Sequence, residues 1–346
     1  MTAVGQLTPT PQAPVRSRRW PLVLGIVSVL MILAVVLVLS PWDRSRGQWL
    51  QDQWTVLTQP SPDHIVAIAD ATGMSENGRL IFLASTPAIE EAEQFNDDCA
   101  VESEGTLGCF DGTDIYIFAV TDPRLQGTIE VTAAHEMLHA AYLRLSPEER
   151  TAVDALVAEA VSALPEDDPV FDDMKLYSES QWPDEWHSRL GTEFGDLPAA
   201  LEAHYDRYFD DRALVLALDE KSTALLDELE AQLDELADRV AALEKEVGER
   251  STAYDSALAA YTADVSAFNA KADSGGFTSQ EEFDRARAAL VARQQALEKE
   301  RADLNARIDE YNGLVDQLTA LDADYADLYQ GLDSTAPPTG EPPAED

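Results

Sequence analysis

The sequence predicts an α+β fold, with a small mixed domain set between one membrane-spanning helix and a long antiparallel helical hairpin. Three observations carry this. An uncharged apolar run fills residues 20–40, short strand-like and helix-like patterns alternate over residues 63–212, and a heptad pattern then runs almost to the C-terminus. The 346 residues leave room for these parts and little else.

Residues 1–19 contain Pro and Thr, lack apolar periodicity and end in Arg16, Arg18 and Arg19, which reads as a disordered tail. From Trp20 to Ser40 the chain is rich in Leu, Val and Ile. At about 1.5 Å per residue, roughly 20 such residues cross a bilayer core of about 30 Å. Trp20 and Trp42 flank the run, and the preceding arginines place the N-terminus on the cytoplasmic side. A cleaved signal peptide is the rival, but its apolar region is only about 7–15 residues and no small-x-small site precedes Pro41. The expectation is an uncleaved signal anchor with everything after it extracytoplasmic, and so a single-pass protein of the cell membrane.

Residues 41–62 read as a juxtamembrane linker. In the domain over residues 63–212, Ile65 to Ala71 is expected to be helical, Arg79 to Ala84 a buried strand, Ala88 to Phe95 a helical turn and Asp114 to Val120 a second strand. Cys99 and Cys109 fit an oxidising compartment and are expected to pair in a disulfide that closes a short loop. Ser146-Pro147-Glu148-Glu149 is a helix start with a capping box, in a helix running to Leu164. Leu197-Pro198 opens a further helix carrying His204, Tyr205 and Tyr208.

Past Asp211 the pattern changes. Leu226, Leu229, Leu233, Leu236, Val240, Leu243 and Val247 form one apolar seam, and Leu297, Leu304, Ile308, Tyr311, Val315, Leu318 and Tyr325 form another. Between them lies Ser274-Gly275-Gly276. Residues 213–332 therefore read as a coiled-coil hairpin turning near 274–277, with self-association or a protein partner along the same stripes as the competing arrangement. Residues 333–346, rich in Pro and acid, read as disordered.

The chemistry is concentrated in Val131 to Tyr142, which has no Gly or Pro and should be a helix. Residues i and i+4 of a helix share a face, so His135 and His139 can hold one Zn²⁺ between them. Glu136 then lies beside the metal, where a general base for a metal-bound water is needed. This composition gives such a His-Glu-x-x-His by chance about once in a hundred chains. The next histidine is His187, so a downstream glutamate is the expected third ligand. Tyr177, Glu179, Glu185, His187 and Glu193 crowd the relevant stretch. Glu185, early on a helix opened by Pro183, leads, and Glu193 is its alternative.

On these residues the segment over roughly residues 60–212 resembles a zinc metallopeptidase of the gluzincin type, found in membrane-anchored bacterial proteins, although Asp184 stands where the family has Asn. The resemblance implies a zincin-like fold in which His135 and His139 bind zinc, Glu136 acts as base and a helix-borne glutamate completes the site. The implied reaction is peptide hydrolysis by a metal-activated water. His204, Tyr205 and Tyr208 are candidate donors to the oxyanion, with His204 and Tyr208 preferred, and the Asp114 to Val120 strand is a candidate edge for an extended peptide. The rival class is a non-enzymatic envelope scaffold acting through its coiled coil. A formal charge of −41 argues against nucleic acid as a partner.

Overall fold

The computed structural model describes residues 44–99 and 105–335. The fold over these residues is predominantly helical, with one small three-stranded sheet, which corrects the α+β expectation. Among the described residues no helix is long and apolar enough to cross a membrane. The predicted span at residues 20–40 lies outside them, as do the tails at residues 1–19 and 336–346.

Helix α1 (Arg44–Thr58) occupies most of the expected linker and packs on the domain. α2 (Asp63–Ala71) and α3 (Glu76–Ala84) follow. The predicted strand Arg79 to Ala84 is the last two thirds of α3. A short apolar run fits either a strand or a buried helix. The start signal decides it here: the Ser75 hydroxyl caps the helix by accepting from Gly78 N–H, and Gly78, Ile81 and Phe82 are buried at the i, i+3, i+4 spacing of one helical face. Gly78 is required because a Cβ there would meet the Tyr208 carbonyl oxygen at 2.1 Å.

The expected helical turn at Ala88 to Phe95 divides into strand β1 (Ala88–Glu90) and helix α4 (Ala92–Asp98). β2 (Gly108–Phe110) and β3 (Ile115–Phe118) complete the sheet in the order β1-β3-β2. β3 is central, parallel to β1 and antiparallel to β2, and Ile115 and Ile117 point into the core. The predicted peptide-binding edge at Asp114 to Val120 is therefore paired on both sides. The edges are β1 and β2, and the Cys99–Cys109 disulfide ties β2 to the end of α4.

Helices α5 (Thr128–Arg144), α6 (Pro147–Val161), the single turn α7 (Val170–Asp173), α8 (Trp182–Thr192) and α9 (Ala199–Tyr205) complete the domain. The capping box at Ser146 and Glu149 forms as predicted, although α6 stops at Val161, before Leu164. α5 runs through the core, burying Ala133, Ala134, Met137, Leu138, Ala140 and Ala141 among Ile117, Leu190, Leu201 and Tyr205.

The hairpin consists of α10 (Ala213–Asp273) and α11 (Gln280–Gln330). Its 61 and 51 residues correspond to about 90 and 75 Å. Gly275, at φ +62°, makes the turn, with Gly276 N–H bonded back to the Lys271 carbonyl. Leu236, Leu243 and Leu314 are buried along the seam, so Leu314 takes the inner place beside the predicted Val315. The base of the hairpin is docked on the domain: Val215 and Leu328 are fully buried, Asp327 pairs with Arg124 at 2.8 Å, and the Ser334 carbonyl accepts from Asn96.

Candidate metal centre

α5 begins at Gly127, whose φ of +108° and 2.7 Å Cβ approach to the Leu218 carbonyl oxygen restrict the position to glycine. With one face of the helix buried in the core, His135 and His139 are half-buried on another face, and the Glu136 side chain is buried beside them. The two Nε2 atoms lie 3.1 Å apart. Donor atoms of His135, Glu136 and His139 all fall within 4.8 Å of one another, so the triad could hold a metal ion.

Helix α8 brings the next residues. Pro183 sits in its first turn with Asp184 and Glu185, where acids favour the positive end of the helix. Glu185, 3% exposed, points across to α5, with one carboxylate oxygen 3.7 Å from His135 Nε2 and the other 3.4 Å from His139 Nε2. Tetrahedral zinc bonded at about 2.0–2.1 Å would set its donors roughly 3.3 Å apart. The three separations of 3.1, 3.4 and 3.7 Å bracket that value. Comparison with protein-family models, with curated proteins and with solved structures gives no match.

Two further contacts orient these side chains. His139 Nδ1–H donates to Asp184 Oδ1 at 2.9 Å, which leaves the Nε2 lone pair directed at the site. Arg189, one turn after Glu185, donates from Nε to Glu185 Oε1 at 2.8 Å, and its Nη1 also faces Asp173 and Glu193 at 3.4 Å each. Burial alone would lower the His139 pKa, but hydrogen bonds to Asp184 and Glu185 and the Glu136 charge raise it well above the ordinary imidazole value. Burial would raise Glu185, and the two histidines outweigh it, holding the carboxyl well below the usual range. Burial pushes Glu136 up, against the two imidazoles. A negative field that holds a proton on an imidazole would also hold a cation there.

A cleft of about 610 Å³ opens over these residues. One wall is the β2 edge, through Gly108, Cys109 and Phe110, and another is α8 with the segment before it, through Tyr177, Ser180, Gln181 and Pro183. Gly108 lies hard against α5: a Cβ there would stand 2.5 Å from Thr132 Cγ2 and 2.9 Å from Glu136 Oε1. Tyr177 is pushed up to about 12 by burial and by the Glu185 charge, and so remains a neutral hydroxyl donor.

The other predicted residues lie elsewhere. Glu193 bonds Arg189 and does not come within ion-pair distance of His135 or His139. Glu179 is exposed and does not line the cleft. His204 and Tyr208, the predicted oxyanion donors, are likewise not in the cleft wall. His204 Nε2 instead meets His187 Nε2 at 2.9 Å, in a cluster with Tyr205, Tyr208 and Tyr142. Tyr205 donates to the His187 carbonyl at 2.7 Å, and His187 is fully buried. Burial lowers His204 to about 4 and His187 well below the ordinary value, so this cluster is neutral packing behind the site. The sequence left Asp184, which bonds His139, and Arg189, which bonds Glu185, without assigned roles. Their positions one residue before and four after Glu185 were the available signal, since i and i+4 share a helical face.

Proposed function

We propose that the chain is a zinc-dependent peptidase working on the extracytoplasmic side, with His135, His139 and Glu185 as the metal ligands. The observation that carries the reading is the convergence of both Glu185 oxygens on the two Nε2 atoms, with Glu136 alongside and a groove in front. Three protein ligands leave a position for water, as a hydrolytic site requires and a closed structural site does not. A bound zinc would supply a Lewis acid and a water of lowered pKa. Glu136, whose pKa is raised by burial, would take a proton from water and return it to the leaving amine. Asp184 fixes the His139 tautomer, and Arg189 fixes the Glu185 rotamer. Tyr177, on the cleft wall, donates to the carbonyl oxygen as charge develops on it. A peptide lying along the β2 edge extends past Glu136, and the Cys99–Cys109 disulfide suits an oxidising compartment.

Elemental analysis of the purified full chain and of His139→Ala, Glu185→Ala and Glu193→Ala, beside cleavage of a mixed peptide library by wild type and Glu136→Gln, tests this. One zinc per chain, lost in His139→Ala and Glu185→Ala and kept in Glu193→Ala and Glu136→Gln, with cleavage abolished in Glu136→Gln, is the expected result. A folded wild-type protein that holds no zinc, or cleavage that survives Glu136→Gln, would overturn the proposal.

A further inference from the structure

Four of the exposed large hydrophobic residues among those described fall together on α1. Trp49, Leu50, Trp54 and Leu57 are all exposed, Trp54 by 66% and Leu57 by 77%. At 100° per residue the four project within an arc of about 140°, so they form one stripe along the helix. The opposite side is fixed to the domain. Asp52, buried on that side, accepts from Arg144 Nε and Nη2 at 3.0 Å each, and Arg144 belongs to the last turn of the metal-binding helix α5. α1 is thus held in place while presenting two tryptophans and two leucines to its surroundings.

We infer that this stripe seats the domain on a lipid bilayer surface. The sequence before α1 indicates the occupant. Residues 20–40 are apolar without one charged side chain, and only Pro41, Trp42 and Asp43 separate them from α1. Whatever apolar phase accepts that run also lies beside the helix that follows it. The composition suits an interface: indole rings prefer the boundary between acyl chains and headgroups, and an interfacial helix needs an apolar stripe and a polar back rather than high overall hydrophobicity. The charge pattern agrees, since Arg44 and Arg46 stand at the start of α1 and its single acid, Asp52, is turned inward against Arg144. α1 meets the surface along its side, whatever arrangement residues 20–40 take up there.

The attachment also orients the cleft. Exposed Leu143 lines both the cleft and the hollow beside Gln48 of α1, so the cleft mouth opens next to the lipid-facing helix. Chain segments emerging from the bilayer would reach it first. The lipid contact does not depend on the metal.

Both cysteines are paired, so a single added cysteine can carry a nitroxide label. The full chain bearing Leu57→Cys, and separately Trp54→Cys, is placed in phosphatidylethanolamine and phosphatidylglycerol vesicles. Collisions with oxygen, which concentrates in lipid, are compared with those of a water-soluble nickel complex, using Val291→Cys on exposed α11 as reference. The inference expects the oxygen-to-nickel ratio to rise severalfold at both α1 positions on adding vesicles and to stay unchanged at Val291→Cys. It is overturned if the α1 labels stay open to nickel on vesicle-bound protein, if the chain does not bind vesicles, or if the labels are already shielded without lipid. The last outcome would mean that a second copy or residues 20–40 cover the stripe.

Discussion

Replacing Asp219 by Asn should stabilise the protein at alkaline pH and do almost nothing in acid. Asp219 lies near the start of α10, where the arm crosses the domain, and its carboxyl is pushed up to about 6 from an ordinary 3.8 by burial first, then by Glu193 and Asp227. The folded chain thus binds this proton more tightly than the unfolded one. The ionised carboxylate is a cost above about pH 6, and the cost is relieved as pH falls towards the unfolded value. A shift of about two units is worth about 3 kcal/mol, at about 1.4 kcal/mol per unit. The side chain is partly open to water, and screening reduces that to about 1–2 kcal/mol. Guanidinium unfolding followed by far-ultraviolet circular dichroism, with chelator present so that metal loss does not intrude, should show Asp219→Asn more stable by this amount near pH 8. The gain should halve near pH 5 and shrink to a few tenths near pH 4. Equal stability of the two proteins near pH 8 would refute the reasoning. So would a gain that persists undiminished near pH 4, because it would have to come from packing and not from charge.

Three further outcomes follow from single contacts. Gly108→Ala drives a methyl group into Thr132 and Glu136, so the chain should lose about 1–3 kcal/mol of stability and, under the proposed peptidase reading, at least a tenfold factor in cleavage with zinc content unchanged, as measured by denaturation, turnover and elemental analysis. Asp52→Ala leaves the Arg144 guanidinium enclosed with only the Ala140 carbonyl and the Ser85 hydroxyl, and thermal melting should report a loss of about 3 kcal/mol, partly recovered by also making Arg144→Met. Cys99→Ser with Cys109→Ser opens a loop closed over 10 positions and frees β2 from α4, with an expected cost of about 2–3 kcal/mol and faster protease nicking near β2.

The helix carrying His135 and His139 and the hairpin were legible because their signals are local. His135 and His139 meet through helical periodicity alone, the capping box at Ser146 needs only neighbouring residues, and the turn at Gly275 needs only a residue tolerant of positive φ. Glu185 was singled out for a related reason, since Pro183 fixed where its helix begins. The misreadings came where local patterns are degenerate. Arg79 to Ala84 carries an apolar run of a length that suits strand or helix, and the cap at Ser75, with the contacts of Ile81 and Phe82 in the core, settles it as helix. With that strand lost and the sheet reduced to three short strands, the fold is helical where a more even mixture was expected.

Sequence by itself therefore determined which side chains are candidates for chemistry and the local helices that hold most of them. Tertiary structure decided which of those side chains meet. Whether Glu185 or Glu193 faces His135, whether Tyr177 or Tyr208 borders the cleft, and whether β2 or β3 is the sheet edge all depend on how α8 and the sheet pack against α5. That packing is a sum of many weak apolar contacts between residues far apart in the chain, and no short stretch of sequence encodes it.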